Sequence, residues 1–311
     1  HLSADGGGGF SGECTAVHLL SVLVSIKMKK DRTKLSVYHL WRAIYPMPLY
    51  QLIQGLVLSA AVFFLFSMGI GDGSLTTLMK VFPDITVVYL MISGVLSILL
   101  FGWIYHRDVQ ERKNRAIWEE HTHLGAGTIL LIMLGGAGVA LAGNQLVNLT
   151  PLMELSEKDV ETSEARSAGN AWLELFCVGV LMPVAEEVVM RGLVYGRLRD
   201  MMRPLPAILW SALFFGLFHG NLVQGVYATA CGIYLGWIME RFRTIKATAV
   251  AHIAANAFIT ILSATAFYQE QYVNSVKFWV LTGIGVIALV VAIWKLREGY
   301  NIQDNLENNE D

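Results

Sequence analysis

Charge is what this chain has little of. Asp, Glu, Lys and Arg make up 15% of its 311 residues, where a soluble domain carries about 25%. The net charge is −2, so no basic face is on offer to nucleic acid. Cysteine is scarce too. Cys14, Cys177 and Cys231 are scattered and form no C-x-x-C pair, which argues against a disulfide framework or a thiolate metal site. Two of them lie in apolar runs and read as small hydrophobes. There is no H-E-x-x-H motif for a zinc hydrolase, and no internal repeat.

Apolar residues are abundant, at 54% of the chain, and they come in blocks too long for the strands of a soluble core. Eight blocks read as spans: roughly 50–70, 84–105, 124–143, 172–195, 205–220, 222–240, 247–265 and 278–295. The expected fold is all-α, a polytopic membrane helical bundle of about eight transmembrane helices in the lipid bilayer. The fifth span is short and starts just after Pro204 and Pro206, and Gly220-Asn221 predicts a tight hairpin into the sixth. Lys and Arg set the orientation. Only Lys80, Lys158, Arg166 and Lys277 fall on one side, leaving 19 of the 23 on the other. Both termini are therefore expected in the cytoplasm, in a bacterial cytoplasmic membrane.

Four regions follow. Residues 1–27 have no coherent period, contain Gly6-Gly7-Gly8-Gly9 and precede Met28-Lys29-Lys30, so they read as a non-native or disordered extension. Residues 28–169 form an N-terminal membrane region with three spans, ending in an acidic outer loop from Asn144 to Asn170. Residues 170–265 hold every polar motif. Residues 266–311 supply the last span and an acidic tail, Asp304 to Asp311, expected to be disordered.

Glu186, Glu187, His219 and His252 all lie inside apolar runs. An ionisable group at membrane depth costs about 2.5–3.5 kcal/mol on insertion scales, so several together point to one shared polar site. Glu186 and Glu187 are neighbours on a helix and diverge by about 100°. Glu187 and Arg191 are spaced i,i+4 and predict a pair that makes the buried arginine tolerable. That leaves Glu186 without a local partner and available as a general base. Pro183 loosens the helix just before it. His219 reads either as an interfacial histidine bonded to a carbonyl or as part of the site. His252 and Asn256 share a helix face, either as interhelical glue or as two donors for an oxyanion. A metal held by Glu186, His219 and His252 is the competing arrangement, with zinc as the ion. With the fourth span ending at Tyr195, Glu186 sits about 13 Å from the cytoplasmic end and His219 about 21 Å, at 1.5 Å per residue. This mismatch the sequence leaves open.

Glu186-Glu187-x-x-x-Arg191, then Phe215-x-x-x-His219, then His252-x-x-x-Asn256 resemble, in order, the three motifs of the CAAX protease and bacteriocin-processing enzyme family. This family is also called Abi and is related to the type II CAAX prenyl endopeptidase. The resemblance covers about residues 170–265. It implies an intramembrane endopeptidase in which Glu186 and His219 activate a water and His252 and Asn256 stabilise the oxyanion. Glu187 and Arg191 would then support the site, with no metal favoured. The expected substrate is a membrane-associated peptide or small membrane protein, cut near the cytoplasmic face. The alternative is a non-catalytic bacteriocin immunity or scaffold protein of the same fold. A proton-coupled carrier is disfavoured, because the polar residues cluster in one half of the chain.

Overall fold

Proline and capping side chains place the helix starts. The computed structural model describes residues 36–70, 73, 84–115, 124–149, 170–220, 222–263, 265 and 275–307. The short helix α1 (Val37–Ile44) begins at Ser36, whose hydroxyl accepts from the His39 amide. Helix α2 (Pro46–Ser67) follows at once, with proline in its first turn where no amide is needed. Then come α3 (Ile85–Asn114) and α4 (Ala126–Asn148).

Helix α5 is continuous but changes its winding. It runs through Ala171–Phe176, a wide π segment Cys177–Leu181, an α segment Met182–Glu187, a second π segment Val188–Tyr195 and a last turn Gly196–Met201. Asn170 caps it, accepting from the Trp172 and Leu173 amides. Helices α6 (Pro204–Phe218) and α7 (Leu222–Phe242) make the expected hairpin. Gly220 takes the left-handed conformation (φ +67°) that ends α6 without a Cβ penalty. Helices α8 (Ile245–Ser263) and α9 (Val276–Glu307) complete the chain.

Among the described residues, six stretches are long and apolar enough to cross a membrane: Val37–Ser67, Ile85–Asn114, Ala126–Asn148, Leu222–Phe242, Ile245–Ser263 and Val276–Glu298. The shorter apolar α6 and the interrupted α5 bring the count to the eight expected from the sequence. The protein is an all-α integral membrane bundle. Two expectations change. Helix α5 runs six residues past Tyr195, and α9 continues to Glu307, so the acidic tail starts as helix. Residues 1–27, most of the acidic outer loop and 308–311 lie outside the described residues.

Helix α5 is the centre of the bundle. Every residue from Glu187 to Leu198 is buried, which is the pattern of a helix enclosed on all sides. Helices α2 and α3 pack on one side of it and α6, α7 and α8 on the other, while α4 lies against α7, α8 and α9. Helix α4 approaches α8 as closely as backbones allow: a Cβ on Gly136 would lie 2.2 Å from the Ala251 carbonyl oxygen. Small residues at such crossings are how helices pack when lipid supplies no hydrophobic drive.

Candidate active site

Pro183 opens the site. In the first π segment the Met182 amide reaches back to the Cys177 carbonyl. The next bond in that pattern would run from residue 183 to the Val178 carbonyl, but proline has no N–H to give. The carbonyl is left at membrane depth, where an unmet polar group is costly. Asn256 on α8 meets it, donating from Nδ2 at 3.2 Å. A backbone irregularity in α5 thus fixes the position of one of the motif side chains. Such π turns recur at functional sites.

The α turn between the two π segments carries Glu186 and Glu187, which face different surroundings. Glu187 is fully buried, with Oε1 3.2 Å from Arg191 Nη1 and 2.9 Å from His252 Nδ1. Arg191 is equally enclosed. It also donates to the Gly232 carbonyl at 3.4 Å and lies 4.5 Å above the Phe215 ring. Thr248, buried one turn before His252 on α8, borders Glu187. Glu186 turns instead to a cavity of about 460 Å³, and its Oε2 is 3.7 Å from His252 Nε2. That is too long for a direct hydrogen bond. His252 therefore lies between the two glutamates, bonded to one and facing the other.

Phe215 explains why an aromatic residue precedes the histidine by four. Its ring meets the His219 imidazole edge-on at 4.9 Å and the His252 imidazole at 5.6 Å, and its face carries the Arg191 guanidinium. His219 Nδ1 is 2.8 Å from the Phe215 carbonyl. A carbonyl only accepts, so that nitrogen carries the proton and Nε2 is left as an acceptor in the neutral ring. By the same reasoning the carboxylate of Glu187 takes the Nδ1 proton of His252.

Glu186, His219, His252 and Asn256 all line this one cavity. Glu187 and Arg191 stand behind it. Helix α5 continues to Met201, so Glu186 lies fifteen residues before its end, as His219 lies fifteen residues past the start of α6. Other wall residues carry no motif. Gln51 and Gln54 come from α2, and Gln51 donates to the Phe218 carbonyl at 2.7 Å, holding the end of α6 beside His219. Asn144, Gln224 and Tyr227 add further polar groups. The available signal for these was polarity within an apolar run, which Gln51 and Gln54 share with the motif residues.

The alternative zinc ligands, Glu186, His219 and His252, all line the cavity. His219 and His252 each engage Nδ1 with a protein acceptor, which leaves both Nε2 atoms facing the cavity, as a histidine that ligates a metal through Nε2 also does. Among the described residues no three His, Cys, Asp or Glu side chains are gathered as a metal site.

Residues 168–258 match the family described as type II CAAX prenyl endopeptidase Rce1-like. The matched segment, under a third of the chain, is similar to the CAAX protease family. A Bacillus subtilis (strain 168) protein named "Putative membrane peptidase YdiL" is 28% identical over 101 residues, which is 32% of this chain and 41% of that protein. The chain thus spans about two fifths of the length of that relative. No solved structure matches the chain. All the motif residues, from Glu186 to Asn256, lie inside the family segment, whereas Gln51, Gln54 and Asn144 lie outside it.

Proposed function

We propose that the protein is an intramembrane endopeptidase that hydrolyses a peptide bond in a membrane-associated peptide or small membrane protein. The observation that carries this reading is the convergence of Glu186, His219, His252 and Asn256 on one cavity. The CAAX protease match over the same residues supports the reaction class.

A water in the cavity is deprotonated by Glu186 and attacks the substrate carbonyl carbon. His219, with Nε2 free to accept, helps to hold and orient that water. Asn256 spends one N–H on Val178 and keeps the second for the oxyanion. His252 can donate from Nε2 only with a second proton on its ring, because Nδ1–H is engaged by Glu187. The proton taken up by Glu186 can reach that nitrogen, 3.7 Å away, through one bridging water or a small approach of the two side chains. His252 then becomes a donor as negative charge develops on the substrate. Collapse of the tetrahedral intermediate returns a proton to the leaving nitrogen, giving one carboxylic acid and one amine. No step is routed through a metal. The protein would act in a bacterial cytoplasmic membrane with both termini inside, as the distribution of Lys and Arg directs.

The test compares the membrane and secreted peptides of cells making the parent chain or Glu186→Gln at matched levels, with new termini mapped by mass spectrometry. Termini present only with the parent are expected. Identical maps from two folded proteins would instead favour the non-catalytic immunity or scaffold alternative. Activity is also expected to survive exhaustive chelation, and loss restored by added zinc would overturn the metal-free mechanism.

A further inference from the structure

The two ends of the bundle differ. One end collects the basic side chains and is tied shut. Arg197 of α5 donates to Asp108 of α3 at 2.6 Å and to the Arg42 carbonyl of α1 at 2.6 Å. Arg42 itself reaches Asp108 at 3.1 Å. Arg112 of α3 bonds Asp200 of α5 at 3.1 Å. Arg199 grips both oxygens of Glu240 on α7, and Tyr195 bonds the same carboxylate. Arg241 at the end of α7 donates to the Leu296 carbonyl of α9. Above these contacts lies the enclosed stretch of α5 up to Glu187.

The cavity starts beyond that stretch and runs the other way. On α7 and α8 its wall residues nearest the basic end are Leu235, Ala251 and His252, about 10 Å in, and on α2 Gln51 is about 8 Å past the first residue. From there it climbs past Asn256 to Thr260 in the last turn of α8, to Gln224 in the first turn of α7 and to Asn144 near the end of α4. Gln224 is exposed. These are the ends of the three helices opposite to the basic one.

We propose that the site is reached from the end of the bundle opposite the basic end, and so from the non-cytoplasmic side of the membrane. This reverses the cytoplasmic-face expectation drawn from the sequence. The direction of access stands on the cavity together with the placement of Lys and Arg. The substrate class below rests in addition on the endopeptidase reading. Among the described residues the wall contains no Lys or Arg, and Glu186 is its one carboxylate. A free C-terminal carboxylate finds no cation here, and an acidic segment would meet Glu186. Carboxamides such as Gln54, Asn144 and Gln224 suit the N–H and C=O groups of an extended main chain. The matching substrate is an uncharged internal segment of a polypeptide already across the membrane, or the outer juxtamembrane stretch of an anchored protein.

Single cysteines test this in the full-length chain with Cys14, Cys177 and Cys231 changed to alanine. Thr260→Cys and Gln224→Cys mark the mouth, and Arg115→Cys marks the basic end. A membrane-impermeant maleimide is applied to intact cells and to inverted membrane vesicles. The mouth cysteines are expected to label in cells and to lose labelling in inverted vesicles, with Arg115→Cys showing the reverse. Labelling of mouth and basic-end cysteines from the same side overturns the proposal, as does a mouth that labels from neither. The same labelling is expected in the Glu186→Gln background, so failure of the protease reading leaves this result intact. For the substrate, single-span reporters carry one uncharged segment either outside or inside the membrane. Parent-dependent termini are expected only with the outside segment, and cleavage confined to the inside segment overturns the assignment.

Discussion

Arg191 and Arg197 lie on the same helix, both are buried, and they serve different purposes. Arg191 is fully enclosed and pairs with Glu187 one turn away on α5 itself. That carboxylate also takes the Nδ1 proton of His252, so the pair reaches through that side chain to the wall of the cavity. Arg197 is nearly as buried, but its partners are Asp108 on α3 and a carbonyl of α1. Asp108 has Arg42 and Arg112 in reach as well. Burial and charge alone do not distinguish a site from a clasp. What separates them is whether the partner of the arginine has a second bond that points into a cavity.

The largest effect is expected from Arg191→Ala. It leaves Glu187 charged and unpaired at membrane depth, which costs about 3–5 kcal/mol for a broken buried pair. A much lower folded yield or melting temperature in detergent would show it, and a variant as stable as the parent would end the comparison. The double change Glu187→Met with Arg191→Met sharpens it. Removing both charges from a buried pair is often close to neutral for stability. Most of the stability should therefore return while cleavage stays lost, because His252 no longer has its Nδ1 acceptor. Recovery of both together would make the pair merely structural.

Arg197→Ala should cost less, about 1.5–3 kcal/mol for hydrogen bonds to a charged group, since Asp108 keeps Arg42 and Arg112. The pH profile of cleavage should stay that of the parent, and a shifted profile would move Arg197 from the clasp to the site. The smallest change belongs to Arg115→Ala. Its pair with Glu111 is half exposed, at 54% and 42% of the two side chains, and such pairs are worth about 0–1 kcal/mol. A melting temperature within error of the parent is expected.

The sequence displayed the fold and the local half of the candidate site. Span lengths and the placement of Lys and Arg gave eight helices, and i,i+4 spacing put Glu187 beside Arg191 and His252 above Asn256. Those are properties of single helices, set by 3.6 residues per turn. The bond from Glu187 to His252 joins residues 65 apart. It depends on how α5 and α8 dock, which spacing within one helix cannot encode. The π turns were hidden for a related reason. Pro183 marked a disturbance, but the wider winding on both sides is stabilised by contacts with neighbouring helices. Gln51 and Gln54 were passed over because α2 carries no motif. Only the packed bundle brings that helix to the wall of the cavity.

The freed carbonyl of Val178 has a consequence for the lipid around the protein. It ties α5 to α8 through one side chain of fixed length, so a slip of one residue along either helix, about 1.5 Å, would break the bond. Bilayers thinner or thicker than the hydrophobic length of a bundle are accommodated by helix tilt, and tilt slides neighbouring helices past one another. Asn256 would lose its anchor before the bundle lost its fold. Turnover should therefore peak at one acyl-chain length and fall on either side, while thermal stability changes little. The activity of this protein would then report the thickness of its membrane.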